Sequence, residues 1–196
     1  MVKKIVGTGV LLVLALALQA GVKMYTLKSP DGKVKLEVTA GQGIAYSLFY
    51  DGRLLLKPSR IALHTDLPEA DHWENIRITG TKQRHVSETV QAPFYRVKEF
   101  GIDCNELELR LNNGFSLLMR AYNDGMAYRF VAGRKGEMTV VEERAEFNFA
   151  DDFEAYIPYS TNPKDPWNMA FQNFYTKAPL TQYNTLIMMK SDVLDS

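Results

Sequence analysis

The chain has 196 residues, 46% of them hydrophobic and 23% charged, and its 23 basic and 23 acidic residues balance to zero formal charge. That composition excludes a disordered or fibrous chain, and the missing basic excess excludes the electrostatic footprint of a nucleic-acid binder. The single cysteine, Cys104, excludes an internal disulfide framework and reads as a buried small hydrophobe.

In chain order, Lys3 and Lys4 precede an apolar run from Val10 to Leu18, with small residues at Ala15, Ala17 and Ala20. A basic start, a short apolar core and small residues predict a secretory signal peptide over 1–20. The run falls short of the roughly 20 apolar residues a membrane span needs, so no stable membrane anchor is expected. No cysteine follows it, which excludes a lipoprotein anchor. A periplasmic or secreted protein with one domain over 21–196 is the expectation, residues 181–196 forming a truncated tail.

Period-two alternation then recurs. Val34, Leu36 and Val38 alternate with Lys35 and Glu37, and Ile44, Tyr46, Leu48 and Tyr50 resume the pattern after Gly41-Gln42-Gly43. Asp51-Gly52 predicts a two-residue hairpin into Leu54-Leu55-Leu56, because Asp-Gly adopts positive φ at low cost. Ile76–Thr79 and Phe94–Phe100 are further strand candidates. Leu107, Leu109 and Leu111 alternate before Asn113-Gly114, Phe115, Leu117 and Met119 alternate back, and Asn123-Asp124-Gly125 turns into Met126, Tyr128 and Phe130. Thr139–Glu142 and Ala145–Phe149 complete the set. Short strands separated by Gly and Asn/Asp turns predict an all-β, mostly antiparallel, two-sheet β-sandwich.

Residues 151–180 differ in texture. Tyr156, Tyr159, Trp167, Phe171, Phe174 and Tyr175 lie among Pro158, Pro163, Pro166 and Pro179. Prolines at this density argue against a long helix or a central strand and predict an ordered aromatic loop. Such rings either plug one end of a sandwich or form a sugar-stacking or partner surface, with Trp167, Tyr156 and Tyr159 as the carbohydrate-binding candidates.

Catalytic patterns are absent. His64, His72 and His85 match no compact metal spacing, and neither a phosphate loop nor a serine elbow occurs. Glu142-Glu143 and Asp151-Asp152 are adjacent pairs, which in a strand point to opposite faces and read as solvated edge charges.

Several segments together resemble the N-terminal domain of family 97 glycoside hydrolases. Ser29-Pro30-Asp31-Gly32-Lys33 looks like the opening hairpin. Tyr46-Ser47-Leu48 through Asp51-Gly52 to Lys57-Pro58-Ser59-Arg60 looks like the next stretch, with Ala62 where the family carries glycine. The run Arg120-Ala121-Tyr122-Asn123-Asp124-Gly125-Met126-Ala127-Tyr128-Arg129-Phe130 resembles the family hallmark, and Asn105-Glu106-Leu107 fits upstream of it. The resemblance implies secreted bacterial enzymes acting on α-glucosides or α-galactosides. It also implies a galactose mutarotase-like super-sandwich, a catalytic (β/α)8 barrel and a C-terminal β-domain. The catalytic carboxylates and most calcium ligands belong to the barrel. A barrel takes about 250 residues, and 16 follow Leu180, so no catalytic residue is expected in this chain.

One family residue from this domain, a glutamate, helps bind the calcium. The matching run is Phe171-Gln172-Asn173-Phe174-Tyr175, so Gln172 stands in the metal position. Its amide keeps a carbonyl oxygen but loses the negative charge that a hard cation favours. Calcium is therefore expected in the full-length enzyme, and no cofactor in this chain. The leading expectation is a non-catalytic domain that docks on the barrel and walls its active site, with α-linked oligosaccharides as further partners. A free-standing carbohydrate-binding module is the alternative, and a purely structural or adhesion-type sandwich the third reading.

Overall fold

Backbone pairing of alternating segments accounts for nearly all the regular structure. The structure, a computed structural model, describes residues 23–94, 96–158 and 175–182. Its strands are β1 (Lys23–Lys28), β2 (Val34–Gly41), β3 (Gly43–Tyr50), β4 (Arg53–Thr65), β5 (Ile78–Gln91) and β6 (Glu99–Leu111). They continue with β7 (Phe115–Tyr122), β8 (Gly125–Ala132), β9 (Val140–Ala145), β10 (Glu154–Pro158) and β11 (Tyr175–Pro179). A first sheet runs β1-β2-β3-β4-β9, a second runs β5-β6-β7-β8, and β10 and β11 form a separate ribbon. Every pairing is antiparallel. The expected all-β sandwich is therefore present.

The core lies between the two larger sheets. In β2 and β7 alternate residues are buried, as a sheet with one covered face requires. Leu36, Val38, Ile44, Tyr46 and Ile61 meet Leu107, Leu109, Leu117 and Met119 in one cluster. Each such side chain contributes about 1.5–3 kcal/mol by leaving water. Trp73, on the β4–β5 connection, closes the core with ring centroids 6.1 Å from Phe115 and 5.3 Å from Phe130. Its indole N–H donates to the Leu63 carbonyl at 3.2 Å, so the buried polar atom is satisfied.

The Asp51-Gly52 hairpin forms as expected: φ is 48° at Asp51 and 79° at Gly52, and Tyr50 pairs with Arg53. Four segments depart from the sequence expectations, one of them the aromatic stretch 151–180, expected as a loop, whose ends pair as β10 and β11. Strand β5 spans 14 residues, whereas alternation marked only Ile76–Thr79. Its remainder is polar because Val86 is its only buried side chain, and main-chain bonds to β6 hold it instead. Phe94–Phe100 is mostly the turn after β5, with only its last two residues entering β6. Ala145–Phe149 leaves the sheet after Ala145, Phe149 keeping one isolated bridge to Leu56.

Candidate functional site

The aromatic segment is built from the β10–β11 ribbon outward. Pro158 and Pro179 each end a strand, where a missing N–H costs least. Asp152 anchors the ribbon: its two carboxylate oxygens accept the Thr181 N–H at 2.9 Å and the Thr181 hydroxyl at 2.7 Å. Those bonds hold the Asp152 carboxyl below its ordinary value. Arg53 pairs with Asp151 at 3.1 Å and lies 4.9 Å from the centre of the Phe153 ring. Phe153 in turn meets Phe149 edge-on at 6.3 Å.

Register decides which side chains share a face. Tyr156 sits opposite Lys177 and Pro158 opposite Tyr175, so Glu154, Tyr156, Tyr175 and Lys177 lie on one side of the ribbon. Tyr156 is 65% and Tyr175 67% exposed, whereas Ala178 on the other side is buried. Lys177 bonds Glu154 at 2.7 Å, and its ammonium lies 5.9 Å from the centre of the Tyr156 ring. The ribbon thus presents two uncovered tyrosine rings beside a cation, a surface suited to stacking on apolar or sugar faces. Of the three aromatic candidates, Tyr156 stands on this face, while Tyr159 and Trp167 lie outside the described residues, as does Gln172. Sequence reasoning passed over Tyr175 and Lys177 as site residues; their i, i+2 spacing was the available signal.

The run that carries the family resemblance is largely structural. Glu106, 4% exposed, accepts from Arg84 Nε at one oxygen and Arg120 Nε at the other, both at 2.7 Å. Burial pushes Glu106 up, but the hydrogen bonds from Arg84 and Arg120 outweigh it and hold the carboxyl below its ordinary value. Asn123 accepts the Asp31 N–H at 3.0 Å, tying the β7–β8 turn to the β1–β2 turn. Tyr128 donates to Glu143 at 3.2 Å, and its phenol is pushed up to about 12, by burial first and then by Glu143.

Other candidate groups also have local partners. His64 lies 2.7 Å from Asp71, and His85 3.0 Å from both Asn105 and Asp103. His72 is exposed. Cys104 is fully buried and free, and burial raises its thiol, as suits a small hydrophobe. A cleft of about 450 Å³ beside β2, β3, β4 and β9 is lined about equally by polar and apolar groups, with Arg60, Arg144, Glu146 and Asn148 in its wall. There the Glu146 carboxylate accepts from Arg144, from the Arg60 N–H at 3.0 Å and from Asn148 at 3.2 Å, a closed set. Among the described residues no three His, Cys, Asp or Glu side chains converge as a cation site.

Residues 27–192 match the family model described as glycosyl-hydrolase 97 N-terminal. A retaining alpha-galactosidase of Bacteroides thetaiotaomicron is 38% identical over 180 residues, which cover 89% of this chain and 27% of that protein. A probable retaining alpha-galactosidase of Streptomyces bingchenggensis is 26% identical over 158 residues, 79% of this chain and 24% of its own length. Among solved structures, a beta-arabinopyranosidase superposes with a TM-score of 0.65 at 22% identity, over 78% of this chain and 26% of that one. A family 97 glycoside hydrolase from Pseudoalteromonas sp. strain K8, solved with acarbose, gives a TM-score of 0.62 at 17% identity, over 81% and 25%. These superpositions speak to the fold. The chain spans about a quarter of the length of the curated relatives it matches.

Proposed function

The chain belongs to the N-terminal domain family of family 97 glycoside hydrolases, and from that premise we propose that it is a non-catalytic, exported domain that docks on a catalytic (β/α)8 barrel. The observation that carries this reading is the match over 27–192 combined with coverage of only 27% of the Bacteroides relative. In that relative, the other three-quarters of the polypeptide is available to hold the chemistry. The sandwich's part is then to wall the cleft and carry the β10–β11 ribbon with its intervening segment toward bound α-linked sugar. Calcium in this reading is a ligand of the full-length enzyme, to which Gln172 offers a carbonyl oxygen without charge.

The test mixes the purified chain with the C-terminal portion of the Bacteroides retaining alpha-galactosidase and measures association by titration calorimetry. A saturable complex is expected, and the chain alone should leave aryl α-galactosides and α-glucosides intact. Hydrolysis by the pure chain, or a flat titration, sinks the reading.

The exposed pair Tyr156 and Tyr175 favours a second reading, a free-standing carbohydrate-binding module. It requires saturable binding of malto-oligosaccharides that weakens in Tyr156→Ala and Trp167→Ala.

A further inference from the structure

Strands β5 and β6 pair without interruption from Gly80↔Arg110 to Gln91↔Glu99, but β7 pairs only Asn105–Arg110 of β6. The distal half of the hairpin, 86–91 paired with 99–104, is therefore an arm with no third strand among the described residues. Its turn is held by the Ala92 N–H donating to the Lys98 carbonyl and the Lys98 ammonium donating to the Pro93 carbonyl, both at 2.7 Å. The arm projects from the end of the sandwich where Asn105 bonds the Lys28 carbonyl and Asp31 meets Asn123.

The arm is amphipathic, and its apolar side is the reverse of the one the sandwich uses. In the flanked half, odd-numbered Leu107, Leu109 and Leu111 of β6 face the core. In the arm, apolar residues take the even positions Cys104, Ile102 and Phe100, opposite Val86, Glu88 and Val90. The register between has no bulge, so this stripe points away from the first sheet. Ser87, Thr89, Gln91, Glu99 and Asp103 fill the other face. At the tip Phe94 is 98% exposed and Val97 53%. At the base of the arm this face is already covered, with Cys104 and Val86 buried, whereas toward the tip Val90 and Phe100 are exposed. A sheet with one apolar and one polar face normally has the apolar one covered, and the first sheet cannot cover this outer part.

We propose that this arm is the clasp by which the domain grips the catalytic portion of a family 97 enzyme, with Phe94 seated in an apolar pocket there and the Val90–Phe100 stripe laid on its surface. This rests on the docking reading above. It commits to that occupant because the relatives carry about three-quarters of their length beyond what this chain matches, and because Phe94 at the tip stands bare in water. Charge adds little: Glu88 is the sole ionised group on the stripe, so the contact is apolar.

In the titration described above, Phe94→Asp should weaken association by about 30-fold, the effect of losing a central aromatic anchor. Thr89→Lys, on the polar face, should stay within about twofold. Unchanged affinity in Phe94→Asp and in Phe100→Asp, with the wild-type chain binding, overturns the clasp and leaves docking standing; no binding by the wild type overturns both. Should the C-terminal portion not fold alone, hydroxyl-radical footprinting of the intact Bacteroides enzyme decides. The segment aligned with 90–100, whose Val90, Phe94 and Phe100 are exposed in this domain by itself, must be protected there, and a freely labelled one refutes the clasp. Concentration-dependent self-association abolished by Phe94→Asp would assign the arm to a second copy and refute it as well.

Discussion

The two halves of the β5–β6 hairpin obey one hydrogen-bond register and meet different environments. Beside β7, alternate β6 side chains are sealed in the core, as Leu107 and Leu109 are. Beyond Asn105 the ladder continues, the apolar face changes side, and Phe100 and Val90 stand in water. Between them sits Glu106, on the outer face yet buried beneath the two arginines that bind it. The difference teaches that backbone pairing alone extends a strand, while burial depends on what lies across the sheet.

Breaking the flanked half should cost most. Leu109→Ala leaves a cavity among side chains that cannot fully collapse, and about 2–5 kcal/mol of stability should vanish in denaturant unfolding. A loss under 1 kcal/mol would mean the two sheets pack less tightly than described.

Removing the boundary carboxylate comes next. Glu106→Gln keeps the shape but leaves Arg120 without its charged partner, and we expect a loss of about 2–3 kcal/mol at neutral pH, tempered because Arg84 reaches water. The pH dependence carries the sign. Since the folded carboxyl lies below its ordinary value, its stabilisation is full above the unfolded carboxylate range and is lost as pH falls through the folded value. Unfolding curves from neutral to acid pH should therefore converge for wild type and Glu106→Gln; parallel curves would show that the ion pairs do not set the difference.

A smaller effect is expected at the Asp51-Gly52 turn. Gly52→Ala places a Cβ on a backbone at φ 79°, with open space around it, so only the conformational strain of about 1–2 kcal/mol is felt. The smallest effect belongs to the arm. Phe94→Ser removes no intramolecular contact of consequence and should move stability by no more than about 0.5 kcal/mol. If instead it destabilises as Leu109→Ala does, the arm is part of this domain's own core and the contrast between the halves fails.

The readable features were local. Alternation around Leu36, Leu109 and Leu117, together with the Asp51-Gly52 and Asn113-Gly114 turns, was enough for the strands and hairpins that face the core. Strand β5 was not legible beyond its start, because a strand held mainly by main-chain bonds, with Val86 its one buried side chain, has no hydrophobic period. The ribbon escaped for a related reason: Pro158 and Pro179 disguise strands whose ends they occupy. Of the site, Tyr156 was legible as an aromatic, but its sharing a face with Tyr175 and Lys177 depends on a pairing across sixteen intervening residues.

By itself the sequence determined the secondary-structure class, the main turns and the family, since these depend on residue type at short spacing. Only the tertiary structure decided that Glu106 lies between Arg84 and Arg120, three residues on three strands. Only it, too, separated the β5–β6 arm from the sandwich. Both depend on which surface comes to lie over which, and that is set by long-range packing rather than by the order of neighbours along the chain.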